Sequence, residues 1–281
     1  MNFREYINLW RTRRKARKRT QEYSTRIDTF YLEDTGKIEF ANWNNPLVEP
    51  LHITEDLIDY FKKYIKKGDL VIDIGANIGD TTVPMALAAG ISGMALAFDP
   101  NPFVFKVLEL NASLNKDKQC IIPLRYAITE KEEEFYYISS EASFANGGIS
   151  KTTKSKHGKF IYPEKIKGIN LIDYLEKNYP DKLSKLSFIK IDTEGYDKEI
   201  IKSISSLIDK YKPTIAAECF KYSSSGEKEE LFNVIRQHDY DIFYFERFNI
   251  SARTFKLEKS TDLSAFKDTV NIYGVPAKPI G

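Results

Sequence analysis

The feature that most constrains this chain is an apolar run, Leu70 to Ile74, that ends in a glycine turn containing Gly75 and Gly79. The run has the length and composition of a strand buried on both faces. Glycines in the turn allow a tight bend and a close approach between ligand and backbone. The helix that follows directs its free N–H groups toward the turn. The pattern predicts a parallel α/β sheet with a ligand at the carboxyl ends of its strands.

A second apolar run, Met94 to Phe98, ends in Asp99. An acid at the tip of the neighbouring strand accepts hydrogen bonds from ribose hydroxyls. The turn is Gly-x-x-x-Gly, not the three-glycine turn that brings a pyrophosphate onto a helix. Asp73 would repel a pyrophosphate and attract a ligand that carries an amine and a sulfonium. The sequence therefore predicts S-adenosylmethionine as the cofactor, held by Asp73, Gly75, Asn77, Gly79, Asp99, Asn101, Ala127 and Asp192.

The basic residues are concentrated at one end of the chain. Residues 1–19 contain eight basic residues and one acidic residue, although the formal charge of all 281 residues is only +2. Phe3, Ile7 and Trp10 have helical spacing. Two interpretations stay open: a solvated, partly disordered arm, or an amphipathic segment that contacts an anionic membrane or nucleic acid. We divide the chain into residues 1–50, a basic helical arm with a short hairpin, and residues 51–281, the catalytic domain.

Cysteine usage and hydropathy indicate the compartment. Cys120 and Cys219 lie in apolar runs without a metal-binding spacing, which favours free buried thiols in a reducing compartment. We find no signal peptide. Residues 81–98 are uncharged, but Pro84 and Gly90 interrupt them, so we expect helix, turn and strand instead of a membrane span. The expected location is the cytoplasm. A peripheral position at the inner membrane face stays open.

The order of apolar segments predicts a doubly wound sheet. We expect a hairpin within 28–48, core strands near 70–74, 94–98, 120–123, 186–191 and 213–218, and a terminal antiparallel pair near 240–248 and 269–275. A further strand is expected at 132–138. Helices are expected at 54–64, 103–115, 199–211 and 226–238, with another beginning at Leu171. Residues 139–168 are polar and predict a long loop that contacts the methyl acceptor, with His157 as a possible base.

Acidic residues tip the later core strands. Asp192 and Glu194 follow the fourth strand, and Glu218 ends the fifth. Asp192 is positioned to orient the cofactor amine or to accept a proton from the methyl acceptor, and Glu194 is the second catalytic candidate. Asp192 and Glu218 are also candidate ligands for Mg²⁺.

Six blocks in a fixed order carry a family resemblance. They are Val71 to Gly79, Phe98 to Pro102, Asn111 to Asn115, Leu171 to Asp173, Lys190 to Gly195 and Pro213 to Glu218. With these blocks the chain resembles the FkbM family of S-adenosylmethionine-dependent methyltransferases, which usually has Glu at the position of Asp99. The resemblance implies a Rossmann-like, seven-stranded, mostly parallel sheet with an antiparallel C-terminal strand. It also implies O-methylation of a sugar, glycan, glycolipid or natural product, lipid-linked acceptors included.

Two alternative functions stay open. Lys190, Asp192 and Glu194 are similar to the acceptor-site residues of RNA 2′-O-ribose methyltransferases, and the basic arm suits RNA. A domain that binds the cofactor as a scaffold and no longer transfers methyl groups is the other alternative.

Overall fold

The computed structural model describes residues 3–155 and 157–277. The chain begins with helix α1 (Phe3–Ala16) and an antiparallel hairpin of strands β1 (Thr25–Leu32) and β2 (Gly36–Trp43). The helix and the hairpin that the sequence predicts here are confirmed. Strand β2 buries Ile38, Phe40 and Trp43 in the same hydrophobic core as the helices of the following domain.

The remaining strands form two sheets. In chain order they are β3 (Leu70–Ile74), β4 (Met94–Phe98), β5 (Ile121–Leu124), β6 (Ala127–Ile128), β7 (Glu133–Ser139), β8 (Gly148–Ser150), β9 (Phe160–Ile169), β10 (Leu186–Ile191), β11 (Thr214–Cys219), β12 (Tyr240–Phe245), β13 (Thr254–Leu257) and β14 (Val270–Pro276). The main sheet has the order β13-β12-β14-β11-β10-β3-β4-β5, and the small sheet has the order β6-β9-β7-β8.

The main sheet has the predicted Rossmann-like arrangement. Strands β3, β4, β5, β10 and β11 are parallel, and β14 runs antiparallel to both of its neighbours. The order changes direction around β3, so the carboxyl ends of β3 and β10 form a crevice where α/β proteins bind ligands. The seven expected strands are present, and the short strand β13 extends the sheet at the β12 edge.

Helices cover both faces of the main sheet. They are α2 (Glu55–Lys62), α3 (Thr82–Ala89), α4 (Pro102–Ser113), α5 (Leu171–Asn178), α6 (Asp197–Ser203), α7 (Ser205–Tyr211), α8 (Ser225–Arg236) and α9 (Ser260–Ser264), with a 3-10 helix at Pro180–Lys185. Alternating residues of β3 separate the two cores: Leu70, Ile72 and Ile74 pack with α5 to α8, whereas Val71 packs with α2 to α4. Residues 81–98 form α3, a turn and β4, as predicted.

Two expectations are wrong. Residues 139–168 are not one long loop, because they contain β8 and most of β9, which pair with β7. Polar side chains on exposed strand positions gave this segment the composition of a loop. The helix expected at 199–211 is interrupted at Ile204, whose φ of −110° and ψ of 16° separate α6 from α7. The described part of the chain contains no helix that is long and apolar enough to cross a membrane.

Candidate active site

A cavity of about 310 Å³ opens where the carboxyl ends of β3, β4 and β10 face the small sheet. This volume lies within the range of small-molecule sites. Among the cavity residues from the main sheet and its connections, we call five the main-sheet edge: Gly75, Asp99, Asp192, Thr193 and Glu194. We call eight cavity residues from β7, β8 and their flanking connections the small-sheet wall: Phe135, Tyr137, Gly147, Gly148, Ile149, Ser150, Lys151 and His157.

The backbone at the end of the neighbouring strand β10 leaves no space for a side chain at position 75, so a glycine is required there. Its φ is +77°, and a Cβ atom built on it would lie 1.9 Å from the carbonyl oxygen of Asp192. The Asp192 N–H donates to the Ile74 carbonyl at 2.9 Å, so the two strand ends are held together at this point. The sequence analysis assigned Gly75 to ligand approach, and the structure adds the close contact with Asp192.

Asp99 lies at the tip of β4 with both carboxylate oxygens held by backbone. Its Oδ2 accepts from the Asn77 N–H at 2.7 Å, and its Oδ1 accepts from the Asn101 N–H at 2.8 Å. Burial raises the pKa of Asp99 to about 7, and the two N–H donors partly oppose this shift. Each oxygen retains a second lone pair. Asp99 can therefore accept two more hydrogen bonds from a ligand in the cavity.

Asp192 is positioned by a buried lysine. The Lys190 ammonium donates to the Gly75 carbonyl at 2.9 Å and lies 3.2 Å from Asp73 Oδ1 and 3.5 Å from Asp192 Oδ2. Burial opposes its charge, but Asp73 and Asp192 outweigh this and raise the pKa of Lys190. The Asp192 side chain is 43% exposed and lines the cavity. Lys190 thus forms ion pairs with the buried Asp73 carboxylate and with the Asp192 carboxylate, which faces the cavity.

Asp73 lies beneath the cavity and does not line it. Its side chain is fully buried. Its Oδ2 accepts from the hydroxyls of Thr81 and Thr82 at 2.9 and 2.6 Å. The 3.2 Å approach of Lys190 to Oδ1 is an ion pair without hydrogen-bond geometry, since Oδ1 has no directed donor within residues 3–155 and 157–277. Asp73 therefore acts on the cavity indirectly, through its ion pair with Lys190 and through its charge near Asp99.

The loop after β10 is fixed by Asp197, which the sequence analysis did not single out. Its Oδ2 accepts from the N–H and the hydroxyl of Thr193 at 3.1 and 2.7 Å, and its Oδ1 accepts from the Glu218 N–H at 3.0 Å. This holds Glu194, which adopts a φ of +55°, on the cavity lining. Burial, followed by Asp192, raises the pKa of Glu194. The signal in the sequence is the pair of polar residues four positions apart at a strand–helix junction.

The predicted site residues divide into three groups. Gly75, Asp99, Ala127, Asp192 and Glu194 line the cavity together. Asn77 and Asn101 support Asp99 through their backbone N–H groups, and the Asn101 side chain also donates to the Phe144 carbonyl at 2.8 Å. Gly79 lies outside the cavity, where a Cβ atom would lie 3.2 Å from Leu108.

The two metal candidates face different spaces. Asp192 lines the main cavity, whereas Glu218 lines a narrow cleft with Lys228 and Glu227. Burial, followed by Asp192 and Asp197, raises the pKa of Glu218 to about 8. The described residues contain no group of three or more His, Cys, Asp or Glu side chains arranged for a metal. Asp192 and Glu218 thus line different cavities, Mg²⁺ binding by this pair stays a prediction, and we derive no step through a metal.

The segment 139–168, which the sequence predicts to contact the acceptor, supplies Gly147 to Lys151 and His157 to the small-sheet wall, whereas the sequence did not single out Phe135 and Tyr137. Phe135 and Tyr137 alternate on β7 and face the cavity. This period of two was the available signal. Lys151 pairs with Glu133 at 2.6 Å at the same side of the site.

A protein-family model described as "Methyltransferase FkbM domain" matches residues 73–242. A solved S-adenosylmethionine-dependent O-methyltransferase from Thermotoga maritima is 11% identical, with 90% of this chain and 79% of that chain covered and a TM-score of 0.43. The methyltransferase FkbM from Methylobacillus flagellatus KT is 14% identical, with 77% and 50% covered and a TM-score of 0.44. A search of curated proteins finds no match.

Proposed function

The chain belongs to the FkbM methyltransferase family, and we propose that it transfers a methyl group from S-adenosylmethionine to a hydroxyl of a sugar, glycan or glycolipid. The observation that carries this proposal is the acidic cavity at the strand tips. Asp99, with both oxygens held by backbone N–H groups, is placed to bind two ribose hydroxyls. Asp192 and Glu194 give the other end of the cavity a negative charge that suits an amine and a sulfonium and opposes a pyrophosphate.

The bound cofactor supplies the electrophilic methyl carbon. Asp192 would accept the proton of the acceptor hydroxyl as the acceptor oxygen bonds to that carbon, while the bond between the methyl carbon and sulfur breaks and S-adenosylhomocysteine leaves. Lys190 keeps Asp192 in place through their ion pair and keeps the turn at Gly75 in place through a hydrogen bond. The Asp197 contacts hold the loop that carries Glu194 and so fix the other side of the reacting centre. Positioning of the acceptor oxygen near the methyl carbon supplies much of the rate enhancement.

The small-sheet wall supports a sugar-like acceptor. Tyr137 and Phe135 offer aromatic faces for the apolar face of a sugar ring. Ser150 and Lys151 offer polar groups for its hydroxyls. A wall of this composition combines apolar contact with directional hydrogen bonding, as ligand sites commonly do.

RNA is a weaker candidate acceptor. The RNA interpretation uses Lys190 at the acceptor, but its ammonium is buried beneath Asp192 and does not line the cavity. The scaffold alternative requires loss of methyl transfer, whereas Asp192, the candidate base, faces the cavity.

Titration calorimetry with S-adenosylhomocysteine tests the cofactor assignment. We expect micromolar binding, and the same affinity with and without Mg²⁺. Micromolar binding would justify a screen of nucleotide sugars, glycolipids and RNA as acceptors with S-adenosylmethionine. A failure to bind S-adenosylhomocysteine would refute the proposal and favour the scaffold.

Asp99→Ala tests the ribose assignment. Loss of an ionic acceptor for two hydroxyls should weaken S-adenosylhomocysteine binding about 10- to 100-fold. Glu109→Ala is the control, because Glu109 is an exposed acid on α4 away from the cavity. Equal affinities for Asp99→Ala and the unaltered protein would show that the ribose lies elsewhere.

A further inference from the structure

Helix α1 packs on the domain along one side. Ala16 is fully buried. The Arg13 guanidinium donates to the Pro46 carbonyl at 3.0 Å and pairs with Glu49. These contacts orient the helix and leave its opposite side exposed.

The exposed side of α1 combines aromatic and basic residues. Tyr6 and Trp10, one helical turn apart, are 56% and 52% exposed. The Arg14 guanidinium lies 5.3 Å from the centre of the Trp10 ring. Other exposed basic residues on the helix or directly after it are Arg4, Arg11, Lys15, Arg17, Lys18 and Arg19. Exposed aromatic rings beside a dense positive charge are typical of helices that lie at a membrane interface.

We propose that this face of α1 docks the protein on the surface of an anionic phospholipid membrane. Amphipathic helices with Trp and Tyr beside Lys and Arg lie in the interface, with the rings among the acyl chains and the cations at the headgroups. Each cation near an anionic leaflet adds to the attraction. Since residues 1–19 carry more positive charge than the whole chain, the rest of the chain is net negative. An anionic membrane repels this net negative part of the chain and attracts residues 1–19. The electrostatic field therefore orients α1 toward the membrane.

A membrane is favoured over a nucleic acid by the aromatic residues. Contact with a phosphate backbone requires only the cations. Tyr6 and Trp10 add a stripe of apolar surface along the helix, which an interfacial helix buries in lipid.

The C-terminal end of α1 is tied to the cavity. The Arg17 carbonyl accepts from the Ala142 N–H at 3.2 Å, and the Arg17 guanidinium lies 3.7 Å from Glu141. The chain continues from Ala142 through Phe144 to Gly147 in the small-sheet wall. The Phe144 carbonyl accepts a hydrogen bond from the Asn101 side chain. Docking through α1 therefore brings the wall close to the membrane surface. This step rests on the proposed function, and it identifies the acceptor as a glycan attached to a membrane lipid.

Vesicle sedimentation of the full chain tests the docking. We expect binding to vesicles of phosphatidylcholine with about one-third phosphatidylglycerol, little binding to phosphatidylcholine alone, and a weaker interaction at high salt. Tryptophan emission gives a second readout, because the chain has two tryptophans and Trp43 is only 4% exposed. A blue shift on anionic vesicles that disappears in Trp10→Phe would place Trp10 in the lipid.

Charge variants separate α1 from charge in general. Arg11→Gln/Arg14→Gln/Lys15→Gln should weaken vesicle binding about tenfold or more. Lys182→Gln/Lys185→Gln, exposed lysines on the 3-10 helix, should leave it nearly unchanged, as should Tyr31→Ala on the hairpin. An equal loss of vesicle binding in the α1 variant and in the lysine control would overturn the proposal. Binding of the unaltered protein to RNA but not to vesicles would also overturn it.

S-adenosylhomocysteine calorimetry on the same samples distinguishes the two proposals. Cofactor binding without vesicle binding would overturn the docking and leave the proposed function intact. Vesicle binding without cofactor binding would support the docking and overturn the proposed function, and with it the acceptor assignment.

Discussion

The two sides of the cavity are built differently. On the main-sheet edge, Asp99 and Asp192 are held by backbone N–H groups and by the buried Lys190. On the small-sheet wall, charged groups pair near solvent, as Lys151 does with Glu133. Buried, fully bonded groups keep one geometry, whereas exposed ion pairs contribute little and exchange easily. Under the proposed function, we infer that the main-sheet edge would fix the cofactor and the small-sheet wall would adapt to the acceptor.

The largest expected effect is the loss of Lys190. Lys190→Met leaves the fully buried Asp73 carboxylate without its cation, and should lower the free energy of unfolding by about 3–5 kcal/mol. Urea denaturation measures this loss. The double variant Lys190→Met/Asp73→Asn should recover much of it, because both partners are then neutral.

Lys151→Met is the matched control on the small-sheet wall. Its ion pair with Glu133 is exposed, so the free energy of unfolding should not change measurably. A large loss in Lys151→Met, or none in Lys190→Met, would contradict the comparison between the two sides.

Prediction from the sequence succeeded where the signal was local. The strand–turn–helix pattern from Leu70 to Gly79 and the acids that follow the strands, Asp99, Asp192 and Glu194, predicted the crevice and four of the five residues of the main-sheet edge, because they lie directly at strand ends. The packing requirement for Gly75 could not be predicted, because its contact with Asp192 joins residues far apart in sequence. The segment 139–168 was predicted to contact the acceptor, but its strands were missed because they carry mixed polar residues and only the tertiary pairing of β7, β8 and β9 makes them a sheet. The Asp192 role as base and the domain boundary near residue 50 stay predictions.

A smaller effect is expected from pH. The pKa of Asp99 in the unliganded protein is raised to about 7 by burial, and a ribose donates to the ionised form. At pH 6 only about a tenth of Asp99 is ionised, so S-adenosylhomocysteine affinity should be about tenfold lower than at pH 8. Calorimetry between pH 6 and pH 8 measures how S-adenosylhomocysteine affinity depends on pH. The Asp99→Asn variant should lose this dependence. A flat profile in the unaltered protein would contradict the assignment of Asp99.

The stability of the unliganded protein should change in the opposite direction. A carboxyl group whose pKa is raised on folding binds its proton more tightly in the folded state. The Asp99 contribution to stability is therefore full below its unfolded pKa and is lost as pH rises through about 7. Burial raises the pKa of Asp197 to about 7 as well, so Asp99→Asn should remove only part of this dependence. Thermal unfolding without ligand at pH 5 to 8 measures it, and stability that rises across this range would contradict the sign.

The smallest expected effect concerns a glycine of the small-sheet wall. A Cβ atom on Gly148 would lie 2.6 Å from the His157 side chain, whereas at Gly75 it meets the Asp192 backbone at 1.9 Å. Gly148→Ala should therefore lower the free energy of unfolding by about 1 kcal/mol and leave S-adenosylhomocysteine affinity unchanged. Gly75→Ala should destabilise the fold severely, because its positive φ adds backbone strain. Any acceptor found in the screen should show a raised KM with Gly148→Ala. If Gly148→Ala instead weakened cofactor binding, the small-sheet wall would belong to the cofactor site and the division between the two sides would fail.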